Sequence, residues 1–143
     1  MAKKIIATAM WVTLLLGMAV ASAASSEQSA KKRIVIHMTE NTPEKWNIVL
    51  NNANNVRDEF GRDNVAIEIV THGPGINMLK FETVVGPRLK TALENGIGLI
   101  ACEFTMRGAR LTRDDMYAGI SYAPSGVAHI IRRQAEGWYY LRP

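Results

Sequence analysis

Ile97-Gly98-Leu99-Ile100-Ala101-Cys102-Glu103-Phe104-Thr105-Met106 is the stretch on which the fold turns. Residues 97–102 form an apolar run too short for a buried helix, which reads as a strand covered on both faces. The run closes on Cys102, the only cysteine in the chain. A turn and a short helical segment from Thr105 to Leu111, broken at Gly108, follow it. A strand that ends in a turn and hands over to a helix is the repeating step of an α/β protein.

The same step recurs in both directions. Before the quoted stretch, Pro87 to Asn95 carries Leu89, Ala92 and Leu93 at helical spacing, with Gly96 as the stop. Upstream, 76–85 is irregular with room for a short helix, and His72-Gly73-Pro74-Gly75 is a tight loop by composition. Val65 to Thr71, rich in β-branched residues, is a second strand. Arg33 to Met38 is another, and Thr42-Pro43 opens the helix that follows it. Trp46, Val49, Leu50, Ala53, Val56 and Phe60 give that helix one apolar stripe, and Gly61 ends it. After the quoted stretch, Thr112 caps a small helical start containing Asp114 and Asp115. Ile120 to Ala123 is a fourth strand. Gly126 to Glu136 is a helix expected to bury Val127, Ile130 and Ile131, and Trp138 to Leu141 is expected as a fifth strand in the core, with a role in subunit contact.

This alternation predicts a three-layer α/β/α domain over residues 33–143, with a mostly parallel sheet of about five strands. No repeat, linker or second domain interrupts it.

The first residues read differently. Lys3-Lys4 precedes an uncharged, mostly apolar run from Ile5 to Val20, and Ala21-Ser22-Ala23 is a small-x-small cleavage site. That order is a secretory signal peptide over 1–23, and the apolar run falls short of the roughly 20 residues that span a bilayer. A flexible mature N-terminus over 24–32 and a periplasmic or secreted location are the expectation, with no membrane attachment after cleavage. The full chain carries a formal charge of +4, and loss of Lys3 and Lys4 leaves fifteen basic against thirteen acidic residues. Those charges are scattered, without the basic stripe and reading aromatics of a nucleic-acid binder. A lone cysteine cannot form an intrachain disulfide, so the fold rests on its core.

In open parallel sheets ligands bind beyond the carboxyl ends of the strands. Three reactive side chains fall there in sequence: His37, His72 and Cys102. His37 reads first as a hydrogen-bonded strand-end residue, and His72 belongs to a loop whose glycines let backbone approach a ligand. Cys102 is the leading candidate, because a nearby helix N-terminus favours the reactive thiolate, while Glu103 beside it acts the other way. Inert burial is the competing reading of the same residue. The spacings of Cys102, His37 and His72 match no short metal motif, and the glycine loop is neither a Walker nor a dinucleotide fingerprint. No metal and no cofactor is expected.

Four segments together resemble the DsrE/DsrF-like family. They are Asn51-Asn52-Ala53-Asn54-Asn55, Thr71-His72-Gly73-Pro74-Gly75, the Cys102 segment with Thr105-Met106, and the tail from Pro124-Ser125-Gly126-Val127 to Pro143. The resemblance covers most of 33–143 and implies a DsrE/flavodoxin-like fold that assembles as a homotrimer or homohexamer. It also implies that Cys102 carries sulfur as a persulfide and exchanges it with a donor or acceptor protein. On that pattern Cys102 and His72 are the catalytic candidates, and His37, Gly73, Pro74, Gly75 and Thr105 are binding candidates. Glu103 and Phe104 depart from the small residue and asparagine that relatives often hold there, and an export signal would separate this chain from cytoplasmic relay partners. The expected function is sulfane-sulfur transfer on Cys102 rather than hydrolysis. The alternative is a non-catalytic oligomeric module that binds a small ligand or a protein and keeps a structural cysteine.

Overall fold

The structure is a computed structural model that describes residues 31–143. The expected signal peptide (1–23) and most of the expected mature N-terminus (24–32) lie outside the described residues. Among the described residues twelve elements follow one another, and the first strand begins one residue earlier than expected. The strands are β1 (Lys32–Met38), β2 (Val65–Thr71), β3 (Gly98–Cys102), β4 (Ser121–Ala123) and β5 (Tyr139–Leu141). The α-helices are α1 (Pro43–Phe60), α2 (Gly86–Glu94), α3 (Glu103–Gly108) and α4 (Gly126–Ala135). Three 3-10 turns complete the set, the longest being Gly73–Leu79 within the stretch that includes the glycine loop.

The five strands form one sheet in the order β4-β3-β2-β1-β5, and every pairing is parallel. The fold is therefore the α/β class expected from the sequence. The chain steps outward from β1 to β4 in one direction and then returns to place β5 on the other side of β1. Right-handed crossovers put helices of opposite stepping direction on opposite faces, and the packing follows that rule. Trp46, Val49, Leu50 and Ala53 of α1 and Leu89 and Ala92 of α2 join Ile34, Ile36, Ile67, Ile69 and Leu99 in one core cluster. Ile130 of α4 packs with Val35, Val70, Ile100 and Ala123 on the other face.

The two faces are unequally covered. α1 is well anchored: Thr42 caps it through Lys45 N–H, Pro43 starts it, and Gly61, at φ +87°, closes it. Phe60, at the end of the expected stripe, lies exposed, with Lys32 Nζ 5.1 Å from its ring centroid. On the opposite face the expected burial of Val127 and Ile131 is corrected: only Ile130 is inward, while Val127 and Ile131 are 51% and 60% exposed. One ten-residue helix is too narrow to bury a stripe of that width against a sheet. The expected core strand at the tail is likewise an edge strand, with Tyr139 65% exposed.

Candidate functional site

Side-chain alternation places the site on the α4 face. Val35, Val70 and Ile100 all point into the α4 cluster, so His37, His72 and Cys102, each two residues further on, leave the sheet on that same side. The three side chains that the sequence puts at strand ends are thus brought to one edge of one face.

Cys102 ends β3 and is the N-cap of α3. Its Sγ accepts the N–H of Thr105 at 3.4 Å and the N–H of Gly126, the first residue of α4, at 3.2 Å. Two helix starts therefore converge on one sulfur. The Phe104 N–H donates to Pro124 O at 3.1 Å, tying α3 to the segment that launches α4. Burial, which leaves Cys102 only 4% exposed, pushes the thiol pKa up. The Thr105 hydroxyl and the N–H groups of Gly126, Thr105 and Phe104 outweigh it and hold the thiol below its ordinary value. Glu103 takes no part in this balance: its carboxylate turns to Arg113 at 2.8 Å. The expected opposition from Glu103 is thus relieved by an ion pair.

Thr105 links the sulfur to the glycine loop, since its Oγ1 accepts the Gly73 N–H at 3.0 Å. Gly73 sits at φ +54°, a backbone region that suits glycine. Gly75 has a different reason. A Cβ there would meet Met38 O at 2.6 Å, so the residue lets the loop pack directly on the end of β1. Pro74 occupies the first turn of that 3-10 helix.

His72 and Cys102 are neighbours across Gly126. A Cβ on Gly126 would lie 3.1 Å from Cys102 Cβ and 3.3 Å from His72 Cβ. His72 in turn meets His37, with the two Nε2 atoms 2.5 Å apart and the rings stacked at 4.6 Å. His37 Nδ1 bonds the Tyr140 hydroxyl at 2.7 Å. Burial, the His72 ring and Arg142 lower the His37 pKa to about 4, against a smaller opposing effect of Glu40. Burial and then Arg142 lower that of His72. Both rings are therefore neutral near pH 7, and one Nε2 donates its proton to the other.

Tyr140 and Arg142 were not among the residues singled out as a site. Arg142 Nη2 donates to Thr39 Oγ1 at 3.1 Å and to Glu40 Oε1 at 3.3 Å. The pairing of Ile36 with Leu141 carries both residues to the end of β1. Gly126 was legible as the start of the last helix and as part of the tail resemblance, but not as a partner of Cys102. Ser125 as a cap, accepting the Ala128 N–H, was the local signal that a helix starts beside it.

Among the described residues no group of three or more His, Cys, Asp or Glu side chains is gathered as a metal site would be. A cleft of about 400 Å³ lined by Asn41, Trp46, Asn77 and Lys80, among others, does not include Cys102 or either histidine of the pair.

Against solved structures, the chain aligns with MTH1491 from Methanobacterium thermoautotrophicum at 31% identity, covering 78% of this chain and 99% of that one, with a TM-score of 0.75. The chain belongs to the MTH1491 family. That protein is itself described as being of unknown function. BT1422 from Bacteroides thetaiotaomicron, a conserved protein of unknown function, aligns at 18% identity over 81% of this chain and 98% of its own, with a TM-score of 0.66. The ychN protein from E. coli aligns at 10% identity over 79% and 99%, with a TM-score of 0.63. These last two share the fold. No protein-family model and no curated protein matches the chain.

Proposed function

We propose that this member of the MTH1491 family is an exported, DsrE/DsrF-like sulfur carrier in which the Cys102 thiolate accepts and donates sulfane sulfur. The observation that carries the reading is the hydrogen-bond set on Cys102 Sγ: the N–H groups of Gly126 and Thr105, with the Thr105 hydroxyl, favour the thiolate despite burial. Persulfide exchange needs a thiolate and an in-line approach to sulfur. His72, whose Cβ stands beside that of Cys102, takes or returns the proton that accompanies loading and release. The charge and hydropathy order of residues 1–23 supports export. The exposed Val127, Ile131 and Tyr139 support self-association as a homotrimer or homohexamer. The test is incubation with a sulfane-sulfur donor followed by intact mass. A gain of about 32 Da on the wild type, absent from Cys102→Ser, is the expected result. No gain, or the same gain on Cys102→Ser, sinks the reading.

The low exposure of Cys102 favours a second reading, an oligomeric binding module with a structural cysteine. It predicts slow thiol labelling in the folded protein. Rapid labelling at Cys102 excludes it.

A further inference from the structure

The His37–His72 pair, Tyr140 and Arg142 form a polar cluster that the chemistry at Cys102 does not by itself require. Its position is distinctive. β1 and β5 are the neighbours at which the strand order reverses, and crevices at such reversals are where open α/β sheets hold ligands. His72 belongs to both groups, touching His37 through Nε2 and standing beside Cys102 through Cβ. The cluster also has unspent donors. Among the described residues Arg142 engages Thr39 and Glu40 through Nη2 alone, leaving Nη1 and Nε uncommitted, and His72 Nδ1 has no partner. All four side chains are at least partly exposed.

We propose that Arg142, His37, His72 and Tyr140 recognise the oxyanion end of a small, anionic sulfane-sulfur donor of the thiosulfate class and present its outer sulfur to Cys102. The proposal rests on the sulfur-carrier reading and names the donor for it. The Nη1 and Nε groups that Arg142 keeps free each offer a single charge-assisted hydrogen bond to a sulfonate oxygen. A thiol that is 4% exposed admits a small donor more readily than the persulfide of a folded protein. In the reaction the Cys102 thiolate attacks the outer sulfur, a new S–S bond forms, and the donor's own S–S bond breaks with its electron pair leaving on sulfite. Charge and atoms balance with no added oxidant or reductant: one thiolate and one thiosulfate give one persulfide anion and one sulfite. Negative charge grows on the departing sulfite, so the groups that bind the donor also stabilise its leaving group.

A coupling to pH follows. The groups facing His37 are His72, Tyr140, Arg142 and Glu40, and those acting on His72 are His37 and Arg142. Of these only Glu40 is an anion, and it is already shared with Arg142; the other anion near the pair, the Cys102 thiolate across Gly126 from His72, is removed in Cys102→Ser. A bound dianion sets a favourable charge against the burial, and the smaller repulsion from Arg142, that keep the imidazoles neutral, so binding draws a proton onto the pair and strengthens as pH falls.

The experiment separates this inference from the reading beneath it. Full-length mature Cys102→Ser protein, which cannot be loaded, is titrated with sodium thiosulfate and with sodium sulfate while the imidazole NMR signals of His37 and His72 are followed. Saturable shifts of both histidines are expected, with tighter binding at about pH 6 than at about pH 8. Arg142→Gln on that background should weaken binding by about tenfold or more, and Arg142→Lys by less. Lys90→Gln, which removes the same charge from an exposed site on α2, should leave it unchanged. Absence of any shift, or equal weakening by Lys90→Gln, overturns the proposal whatever Cys102 does with other donors. Binding without a mass gain on the wild type upholds the anion site and counts against the carrier reading.

Discussion

Gly126 donates its N–H to Cys102 Sγ at 3.2 Å while its Cα stands where a Cβ would press on Cys102 Cβ at 3.1 Å and His72 Cβ at 3.3 Å. The close approach that lets α4 reach the sulfur is thus the same one that forbids a side chain. Gly126→Ala should destabilise the fold by about 1–3 kcal/mol through overpacking, since both neighbours are Cβ atoms rather than the free end of a flexible chain. It should also raise the thiol pKa, because α4 must back away and take its N–H with it. Thermal unfolding and a pH titration of thiolate absorbance check the two effects. An unchanged thiol titration would mean that the Gly126 N–H does little for the sulfur.

Thr105 acts on the sulfur twice, through its N–H and its hydroxyl, and the hydroxyl also receives Gly73 N–H at 3.0 Å. Thr105→Val keeps the shape and the N–H but loses both hydroxyl bonds. The Gly73 donor is left without its partner, at a cost of about 1–2 kcal/mol. The thiol pKa should rise, and labelling at fixed pH should slow in proportion to the lost thiolate. Thr105→Ser should restore most of both, which a purely steric role of the side chain would not predict.

The order of elements was legible because each strand is short and the helices between them carry boundary signals such as the Thr42-Pro43 start and the Gly61 and Gly96 stops. The three reactive side chains at the strand ends were legible for the same reason: alternation along parallel strands sends them to one side. Tyr140 and Arg142 were not, because their meeting with His37 and Glu40, 103 and 102 positions away along the chain, depends on β5 lying beside β1. Strand–helix alternation is equally consistent with β5 beside β4. Val127 and Ile131 were misplaced because periodicity reports which residues avoid water, not how wide a face the sheet has to offer. The fate of Glu103 was hidden too, since its partner Arg113 lies beyond a turn whose path the local sequence does not define.

The neutral His37–His72 pair makes stability depend on pH with a definite sign. His37 has a folded pKa of about 4, below the ordinary value near 6.5. The unfolded chain therefore binds a proton that the folded chain refuses, and stability falls as pH drops from about 6.5 toward about 4. His72, shifted in the same direction, adds to the slope. Melting temperature across that window should drop less steeply in His37→Gln than in the wild type. Identical slopes would remove the pair from the acid response.

Glu68 shows the same linkage through a carboxylate. Burial raises its pKa, but Arg133 at 2.6 Å and His129 at 2.6 Å outweigh burial and lower it. Its contribution is therefore full above the ordinary carboxylate range and lost as pH falls through the lowered value. Glu68→Gln removes the carboxylate that Arg133 and His129 share, leaving Arg133 only Glu136 at 2.9 Å. Because Arg133 keeps some contact with water, the cost should be about 2–3 kcal/mol rather than that of a fully buried pair. Glu68→Gln combined with Arg133→Met should recover much of it in chemical denaturation, and a simple sum of the two losses would show that they do not interact.

Val127 and Ile131 leave apolar surface on α4, the helix whose first residue touches Cys102. If that surface is where copies of the chain meet, the wild type should scatter light as a trimer or hexamer, and Ile131→Glu should shift it to the monomer. The side chain is 60% exposed in the single chain, so the substitution should cost the isolated fold less than about 0.5 kcal/mol. Any larger fall in melting temperature then measures lost association, and should vanish for the wild type at high dilution, where mass action dissolves the assembly. A monomeric wild type, or an oligomer indifferent to a charge at Ile131, places the contact elsewhere.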